Sequence, residues 1–278
     1  MSMTWRPGDE PEHKPISLMG WVRVLYRGIP LGILVFGCLI LLLLVRLIER
    51  PLFGVKRPLT PYITQFVCLN AFRILGIGYH SQGTPMTGPG AVVANHSSWL
   101  DIFALNGRKR IYFVSKAEVA KWPGIGWLAR ATGTVFIRRD PREAAKHVQI
   151  FKERLTAGQK LLFFPEGTST DGRRVLPFKP TLFAAFFDEA LRDTLAIQPV
   201  SVIYRAAEGE DPRQYGWWGD MDFGTHLLET LSAAKQGSVT LVYHAPVNVA
   251  DYKDRKVLAR DLETAVRSSL EEAGVLTA

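Results

Sequence analysis

Cysteine is scarce in this sequence. The 278 residues include only Cys38 and Cys68, which lie in apolar surroundings and show no CxxC spacing. This scarcity excludes a disulfide framework and a cysteine-based metal site. Both side chains are expected to pack as small buried hydrophobic groups in a reducing compartment.

The sequence also lacks the motifs of nucleic-acid-binding proteins, although it is basic. Its formal net charge is +8, and residues 101–180 contain sixteen Lys and Arg against seven Asp and Glu. No zinc-finger spacing, helix-turn-helix signature or aromatic RNA-binding motif accompanies this charge, so we expect no nucleic-acid partner. The basic segment instead indicates an anionic ligand or an anionic membrane surface. Because His147, His226 and His244 show no paired spacing, we expect no metal ion.

A long hydrophobic run lies near the N-terminus. Residues 29–45 carry no charge, and a helix of that length can just cross a hydrocarbon core of about 30 Å. A second apolar stretch, residues 62–79, is interrupted by Asn70 and Arg73. The two stretches predict either one spanning helix or a hairpin that enters one leaflet and returns; a buried core helix is the alternative. Basic residues on both sides leave the orientation open, and no cleavage site indicates a signal peptide.

From residue 88 onward, strand-like and helix-like patterns alternate. Short apolar runs predict strands at residues 91–94, 111–114, 132–137, 160–164, 196–204 and 238–243. Helical spacing predicts one helix that ends at Gly158 and a charged helix at residues 251–272. This alternation is typical of an α/β fold with a mostly parallel sheet that helices cover on both faces.

A histidine and an aspartate follow the first of these strands. His96 and Asp101 are five residues apart, and on one continuous helix their side chains would point about 140° apart. If His96 lies on the strand-to-helix turn, with Ser97 and Ser98 as N-cap residues, Asp101 is one turn inside the helix. Its carboxylate can then fold back onto the imidazole, as an acid that orients a catalytic base. A buried structural histidine is the alternative.

Three further strand ends carry polar residues. They are Lys116, Arg139 and the Glu166-Gly167-Thr168 turn. Because the ends of parallel strands converge on one edge of a sheet, we expect these groups to meet His96 there. Cations beside a base and a glycine-containing turn indicate a site for an acidic or phosphorylated molecule.

Four blocks, in order over about residues 90–205, resemble the glycerolipid acyltransferases of the 1-acylglycerol-3-phosphate acyltransferase family. They are NHSSWLD at 95–101, GTVFIRR at 133–139, FPEGT at 164–168 and IQPV at 197–200. The resemblance implies that residues 1–80 are a tail with membrane-anchoring helices and residues 81–278 an acyltransferase domain. It also implies a bacterial inner-membrane enzyme whose catalytic domain faces the cytoplasm.

The resemblance further implies a reaction. His96 would remove the proton of a lysolipid hydroxyl, and Asp101 would hold the imidazole and stabilise its cation. The hydroxyl would attack an acyl thioester of coenzyme A or acyl carrier protein in one step, without an acyl-enzyme or a resident cofactor.

The remaining motif residues receive binding roles from the same resemblance. Lys116 and Arg139 would bind phosphate or another anionic headgroup. Glu166 and Thr168 would shape the acceptor pocket. Backbone N–H groups near Gly167 are the candidates for stabilising the oxyanion.

The chain departs from the family pattern at Ser169, where many members have an arginine that is taken to bind the acceptor phosphate. The loss of that bidentate cation argues against a phosphomonoester acceptor. Residues 169–179 and 217–221 resemble the bacterial branch that acylates lyso-ornithine lipids. Arg173, Arg174 or Lys179 could restore the cation, so lysophosphatidic acid remains the alternative acceptor.

Two other classes of function compete with acyl transfer. A serine hydrolase would need Ser97 or Ser98 as the nucleophile, but neither lies in a GxSxG turn. A membrane-associated lipid-binding protein without catalysis would keep the hydrophobic anchor and the basic face, yet it would have no use for a His–Asp pair.

Overall fold

A mostly parallel sheet forms the centre of the fold in a computed structural model, which describes residues 5–6, 15–88, 90–122, 124–138 and 140–277. Its strands are β1 Gly78–Gln82, β2 Gly90–Ala94, β3 Tyr112–Lys116, β4 Val135–Ile137, β5 Leu161–Phe163, β6 Ala196–Arg205, β7 Ser238–Tyr243 and β8 Val247–Asn248. The strand order is β1-β7-β6-β2-β5-β3-β4, with β8 beside β6. Only the β6–β7 and β6–β8 pairings are antiparallel among these strands. The predicted α/β class with a mostly parallel sheet is confirmed.

Helices cover both faces of this sheet. They are α1 Leu18–Phe53, α2 Thr60–Leu75, α3 Asp101–Arg108, α4 Ile125–Thr132, α5 Ala144–Thr156, α6 Glu189–Arg192, α7 Phe223–Ser232 and α8 Arg255–Glu272. Short 3-10 turns occupy Ala117–Lys121, Pro141–Glu143, Pro180–Phe187 and Val249–Asp251. Successive side chains of the central strand β2 point to opposite faces, so Val92 joins one apolar core and Val93 the other. All five residues of β2 are buried, because β5 and β6 flank it.

The N-terminal helices α1 and α2 pack against each other, and α2 packs against α3. Leu59, which precedes α2, has no side-chain oxygen to cap the helix, and Glu49 of α1 takes over this role. The buried Glu49 carboxylate accepts hydrogen bonds from the N–H of Leu59 at 2.7 Å and of Thr60 at 3.1 Å. This cap holds the turn between α1 and α2 closed.

Both ends of α1 are attached to the α/β part of the chain. Near its start, the Arg27 guanidinium donates to the carbonyls of Leu231 and Ala233 at 2.8 and 2.7 Å, at the C-terminal end of helix α7. Just beyond its end, Arg57 donates to the carbonyl of Ala131 in α4 at 2.7 Å. The helix therefore runs along the molecule from the side of α7 to the side of α4.

Several element boundaries differ from the sequence predictions. The predicted strand at 132–137 begins only at Val135, because Thr132 ends α4 and Gly133 follows it with φ +89°. The last helix starts at Arg255, since the Asp254 side chain caps it. Cys68 is buried as expected, whereas Cys38 on α1 is only half-buried. Residue 80, where the sequence divides the N-terminal segment from the acyltransferase domain, lies in β1, which pairs with β7, and this division stays a prediction.

Candidate active site

Asn95 holds the end of strand β2 in place. Its side-chain oxygen accepts from the N–H of Val202 at 2.7 Å, and its side-chain amide donates to the carbonyl of Val202 at 2.9 Å. The amide group therefore continues the β2–β6 pairing one residue beyond β2. His96 follows at the carboxyl end of the strand, where the sequence predicted it.

His96 and Asp101 form a hydrogen-bonded pair. Nδ1 of His96 lies 2.8 Å from Oδ2 of Asp101, and the same oxygen accepts from the N–H of Ser97 at 2.8 Å and of Ser98 at 3.1 Å. The predicted N-cap at Ser97 and Ser98 is wrong, because α3 begins at Asp101 and its cap position is Leu100, which has no side chain that can accept. With Nδ1 occupied, Nε2 of His96 is the ring nitrogen left for a substrate.

An aromatic ring sets the plane of the imidazole. The Phe164 ring stacks on the His96 ring at a centroid distance of 3.9 Å and an angle of 9°. Phe113 stacks behind Phe164 at 6.0 Å. The pair of contacts, one edge-on from Asp101 and one face-on from Phe164, leaves the imidazole little freedom to rotate.

Glu166 lies behind the site and is buried. Its Oε1 accepts from the backbone N–H of His96 at 2.7 Å, and its Oε2 accepts from the N–H of Leu176 at 2.8 Å. Burial raises the pKa of this carboxyl to about 8. Glu166 joins the His96 turn to the loop that follows residue 166, and its side chain does not line the cavity described below.

The turn at Gly167 requires a glycine, because its φ is +76°. The Gly167 N–H donates to the carbonyl of Phe164 at 3.0 Å, so this group serves the turn itself. Thr168 and Ser169 come next and line the cavity. Their N–H groups are therefore the nearby candidates for binding an oxyanion.

A cavity of about 580 Å³ opens in front of His96. Its charged lining residues are Lys116, Glu118 and Asp220. Its apolar lining includes Val119, Trp122, Ile137, Phe151, Phe163, Leu182, Trp217 and Trp218. A lining that combines charged residues and a base with a larger number of apolar side chains suits a molecule that has a reacting headgroup and a hydrocarbon chain.

The predicted binding residues have separate outcomes. Lys116 is the last residue of β3 and lines the cavity, as do Gly167 and Thr168. Arg139 lies outside the residues that the structure describes.

The cations that could replace the family arginine at Ser169 lie elsewhere. Arg174 binds Asp171 at 2.9 Å, and its guanidinium lies over the Trp5 ring at 4.7 Å. Within the described ranges, Arg173, Arg174 and Lys179 are absent from the cavity lining.

Sequence reasoning gave no role to Asn95, Phe164 or Asp220. Asn95 and Phe164 are the first residues of two of the four sequence blocks, so their positions were available as a signal. Asp220 belongs to the 217–221 segment, which reaches the site because the Trp217 N–H donates to the carbonyl of Ser97 at 2.8 Å. That long-range hydrogen bond leaves no local trace in the sequence.

Comparisons with known proteins agree with this geometry. A family profile described as Acyltransferase matches residues 77–203. The chain is 56% identical to a lyso-ornithine lipid O-acyltransferase of Rhodobacter capsulatus over 266 residues, which cover 96% of each chain. It is 36% identical to the enzyme of the same name from Brucella abortus, over 79% of this chain and 84% of that one.

More distant relatives carry another name. A 1-acyl-sn-glycerol-3-phosphate acyltransferase of Neisseria gonorrhoeae is 30% identical over 178 residues, 64% of this chain and 68% of that one. Among solved structures, the 1-acyl-sn-glycerophosphate acyltransferase PlsC of Thermotoga maritima matches with a TM-score of 0.64 and 21% identity, over 93% of this chain and 98% of that one. That similarity shows a shared fold.

Proposed function

The chain belongs to the acyltransferase family that includes lyso-ornithine lipid O-acyltransferases and 1-acyl-sn-glycerol-3-phosphate acyltransferases, and we propose that it acylates the hydroxyl of lyso-ornithine lipid. The family inferred from the four sequence blocks, and the class of enzyme, are confirmed. The observation that carries the proposed chemistry is the His96–Asp101 pair, with Nδ1 bound to Asp101 and the ring facing an apolar cavity.

In the proposed reaction, Nε2 of His96 takes the proton of the acceptor hydroxyl while the hydroxyl oxygen attacks the thioester carbonyl carbon. The negative charge on the carbonyl oxygen is stabilised by N–H groups of Thr168 or Ser169. The C–S bond then breaks, and the leaving thiolate takes the proton from the imidazolium. Asp101 stabilises the imidazolium between these steps, so no acyl-enzyme is needed.

The charge of the cavity lining supports lyso-ornithine lipid as the acceptor. Ser169 offers no cation for a phosphate, and the lining residue Asp220 brings a negative charge. The Arg6 guanidinium binds Asp220 at 2.9 Å, in the manner expected of a cationic headgroup. Ornithine ends in an amine, which Asp220 would attract, whereas it would repel a phosphomonoester.

Lysophosphatidic acid is the second candidate acceptor. It is favoured by Lys116 in the cavity lining and by relatives named 1-acyl-sn-glycerol-3-phosphate acyltransferase. The acyl donor is proposed to be a thioester of coenzyme A or acyl carrier protein. No resident cofactor takes part in the proposed reaction.

The N-terminal helices support attachment to a membrane. Helix α1 is long and apolar enough to cross one by length and composition, and only 6% of its most apolar window is buried. Yet Arg27, near the start of α1, and Arg57, just beyond its end, both bind the α/β part of the chain. This favours the hairpin reading: α1 lies along one leaflet, on the cytoplasmic side of a bacterial inner membrane.

The acceptor is tested by offering purified enzyme lyso-ornithine lipid and lysophosphatidic acid side by side, each with coenzyme A and acyl carrier protein thioesters. We expect kcat/KM to be at least about tenfold higher for lyso-ornithine lipid, the discrimination that one well-placed charge can supply. We expect Asp220→Asn to raise the KM for lyso-ornithine lipid, and Asp193→Asn, which removes an exposed carboxylate that does not line the cavity, to leave it unchanged. A strong preference for lysophosphatidic acid would overturn the proposed acceptor.

A further inference from the structure

The second carboxylate oxygen of Asp101 has no evident purpose in the His96–Asp101 pair. Oδ2 accepts three hydrogen bonds, whereas the buried Oδ1 has no hydrogen-bond partner of ordinary geometry in the described part of the chain. A buried carboxylate oxygen without a donor is costly, so a nearby donor would have a large effect on this group.

The hydroxyl of Tyr204 is such a donor. Tyr204 lies in β6, two residues beyond the Val202 that binds Asn95, and therefore on the same face of the strand. Its buried hydroxyl also lacks a partner of ordinary geometry among the described residues. Burial, and then the charge of Asp101 and a side-chain interaction with it, raise the pKa of Tyr204 well above its ordinary value. The phenol therefore stays protonated and can only donate to the carboxylate.

The other titratable groups that face this position are engaged elsewhere. The Tyr79 hydroxyl donates to the carbonyl of Ala104 at 2.8 Å. Tyr215, whose ring lies 5.6 Å from that of Tyr204, donates its hydroxyl to Gln236 at 2.9 Å. Glu166 accepts the N–H of His96. Within the part of the chain that the structure describes, the Tyr204 hydroxyl is thus a donor without a partner of ordinary geometry, and Oδ1 of Asp101 is an acceptor without one.

We propose that Tyr204 is a positioning residue for the His96–Asp101 pair and that its O–H donates to Oδ1 of Asp101. The hydrogen bond fixes the plane of the carboxylate, so that Oδ2 points at Nδ1 of His96. It also withdraws negative charge from the carboxylate, so that the imidazolium is held less tightly and returns its proton to the leaving thiolate more readily. The inference rests on the proposed role of His96 as the base.

The test is Tyr204→Phe, which deletes one oxygen and keeps the ring. The matched control is Tyr243→Phe, because Tyr243 is also a buried tyrosine without an ordinary hydrogen-bond partner in the described ranges, but on β7 and without an interaction with Asp101. For Tyr204→Phe we expect kcat to fall about tenfold, the effect of one hydrogen bond to a charged group, with KM values unchanged. The acidic limb of the kcat/KM profile should move to higher pH, because an undamped carboxylate favours the imidazolium.

The control variant should keep the wild-type kcat and pH profile. If Tyr204→Phe gives the same kcat and profile as Tyr243→Phe, Tyr204 does not position the pair. An NMR titration of 13C-labelled histidine, with the His96 signal assigned from His96→Gln, measures the effect of Tyr204→Phe on the protonation of His96 without any turnover. If the wild-type chain acylates neither acceptor, the proposed function fails, while the titration still decides whether Tyr204 acts on His96.

Discussion

The carboxylate of Asp101 organises its whole turn as well as the imidazole. Besides Nδ1 of His96 it accepts the N–H groups of Ser97 and Ser98, and it starts helix α3. Removing it would therefore disturb the backbone, whereas removing the His96 ring takes away only a partly exposed group. The catalytic role of each residue is therefore tested with a substitution that spares the backbone.

For His96→Ala we expect acyl transfer to fall by about a thousandfold or more, because the reaction loses its general base. The fold and membrane association should persist, since the ring contributes little to the core. Asp101→Asn keeps an oxygen for the two amides but removes the charge that holds the imidazolium, and we expect a loss of similar size. Initial rates of lysolipid acylation and circular dichroism of the purified variants measure both effects.

The unfolding temperature of each variant serves as the control for structural damage. A His96→Ala enzyme that acylates lysolipid at the wild-type rate would show that the mechanism is wrong.

At the level of elements, the sequence predicted helices and strands best where the spacing of apolar residues within the segment itself indicates the structure. Strand β7 was predicted at its observed bounds, Ser238–Tyr243, and helix α5 ends before Gly158 as expected. The start of α3 was missed because the helix begins only at Asp101, whose own carboxylate binds the preceding turn, and the Ser98 hydroxyl accepts from the N–H of Leu100 before the helix starts. The course of α1 could not be predicted, since Arg27 binds carbonyls some two hundred residues away.

Whether α1 lies along one leaflet or spans the membrane can be tested by labelling its two ends. Single cysteines at Pro15 and Lys56, which are exposed at the two ends of α1, are introduced after Cys38→Ala and Cys68→Ala. If α1 lies along one leaflet, a membrane-impermeant maleimide should label both positions only after inner-membrane vesicles expose the cytoplasmic face. Labelling of the two positions from opposite faces would instead show a spanning helix.

At the scale of the whole molecule, charge and hydrophobicity are distributed unevenly. The basic excess lies in residues 101–180, whereas residues 181–278 carry nine Lys and Arg against fifteen Asp and Glu. Large apolar side chains are exposed along α1, among them Ile33 at 70% and Leu47 at 73%. An exposed apolar stripe of this extent marks a surface that contacts a membrane.

The double variant Ile33→Glu with Leu47→Glu tests this surface. Both side chains are exposed in the folded protein, so the fold should survive. We expect sedimentation with lipid vesicles to fall at least about tenfold, because charged groups replace apolar area that the membrane would bury. A matched variant, Glu271→Gln with Glu272→Gln, changes two exposed charges on helix α8, which packs into the apolar core on the other face of the sheet, and should sediment like the wild type. Unchanged sedimentation of the Ile33/Leu47 variant would exclude α1 as the membrane-binding surface.

The attachment of α1 at both ends has a kinetic consequence. In the proposed arrangement along one leaflet, the cavity would stay at a constant height above the lipid, and the search for the acceptor would become a two-dimensional encounter within the surface. The turnover rate then follows the mole fraction of lysolipid in the bilayer, and diluting that lysolipid with inert phospholipid slows the enzyme even when the bulk concentration is unchanged.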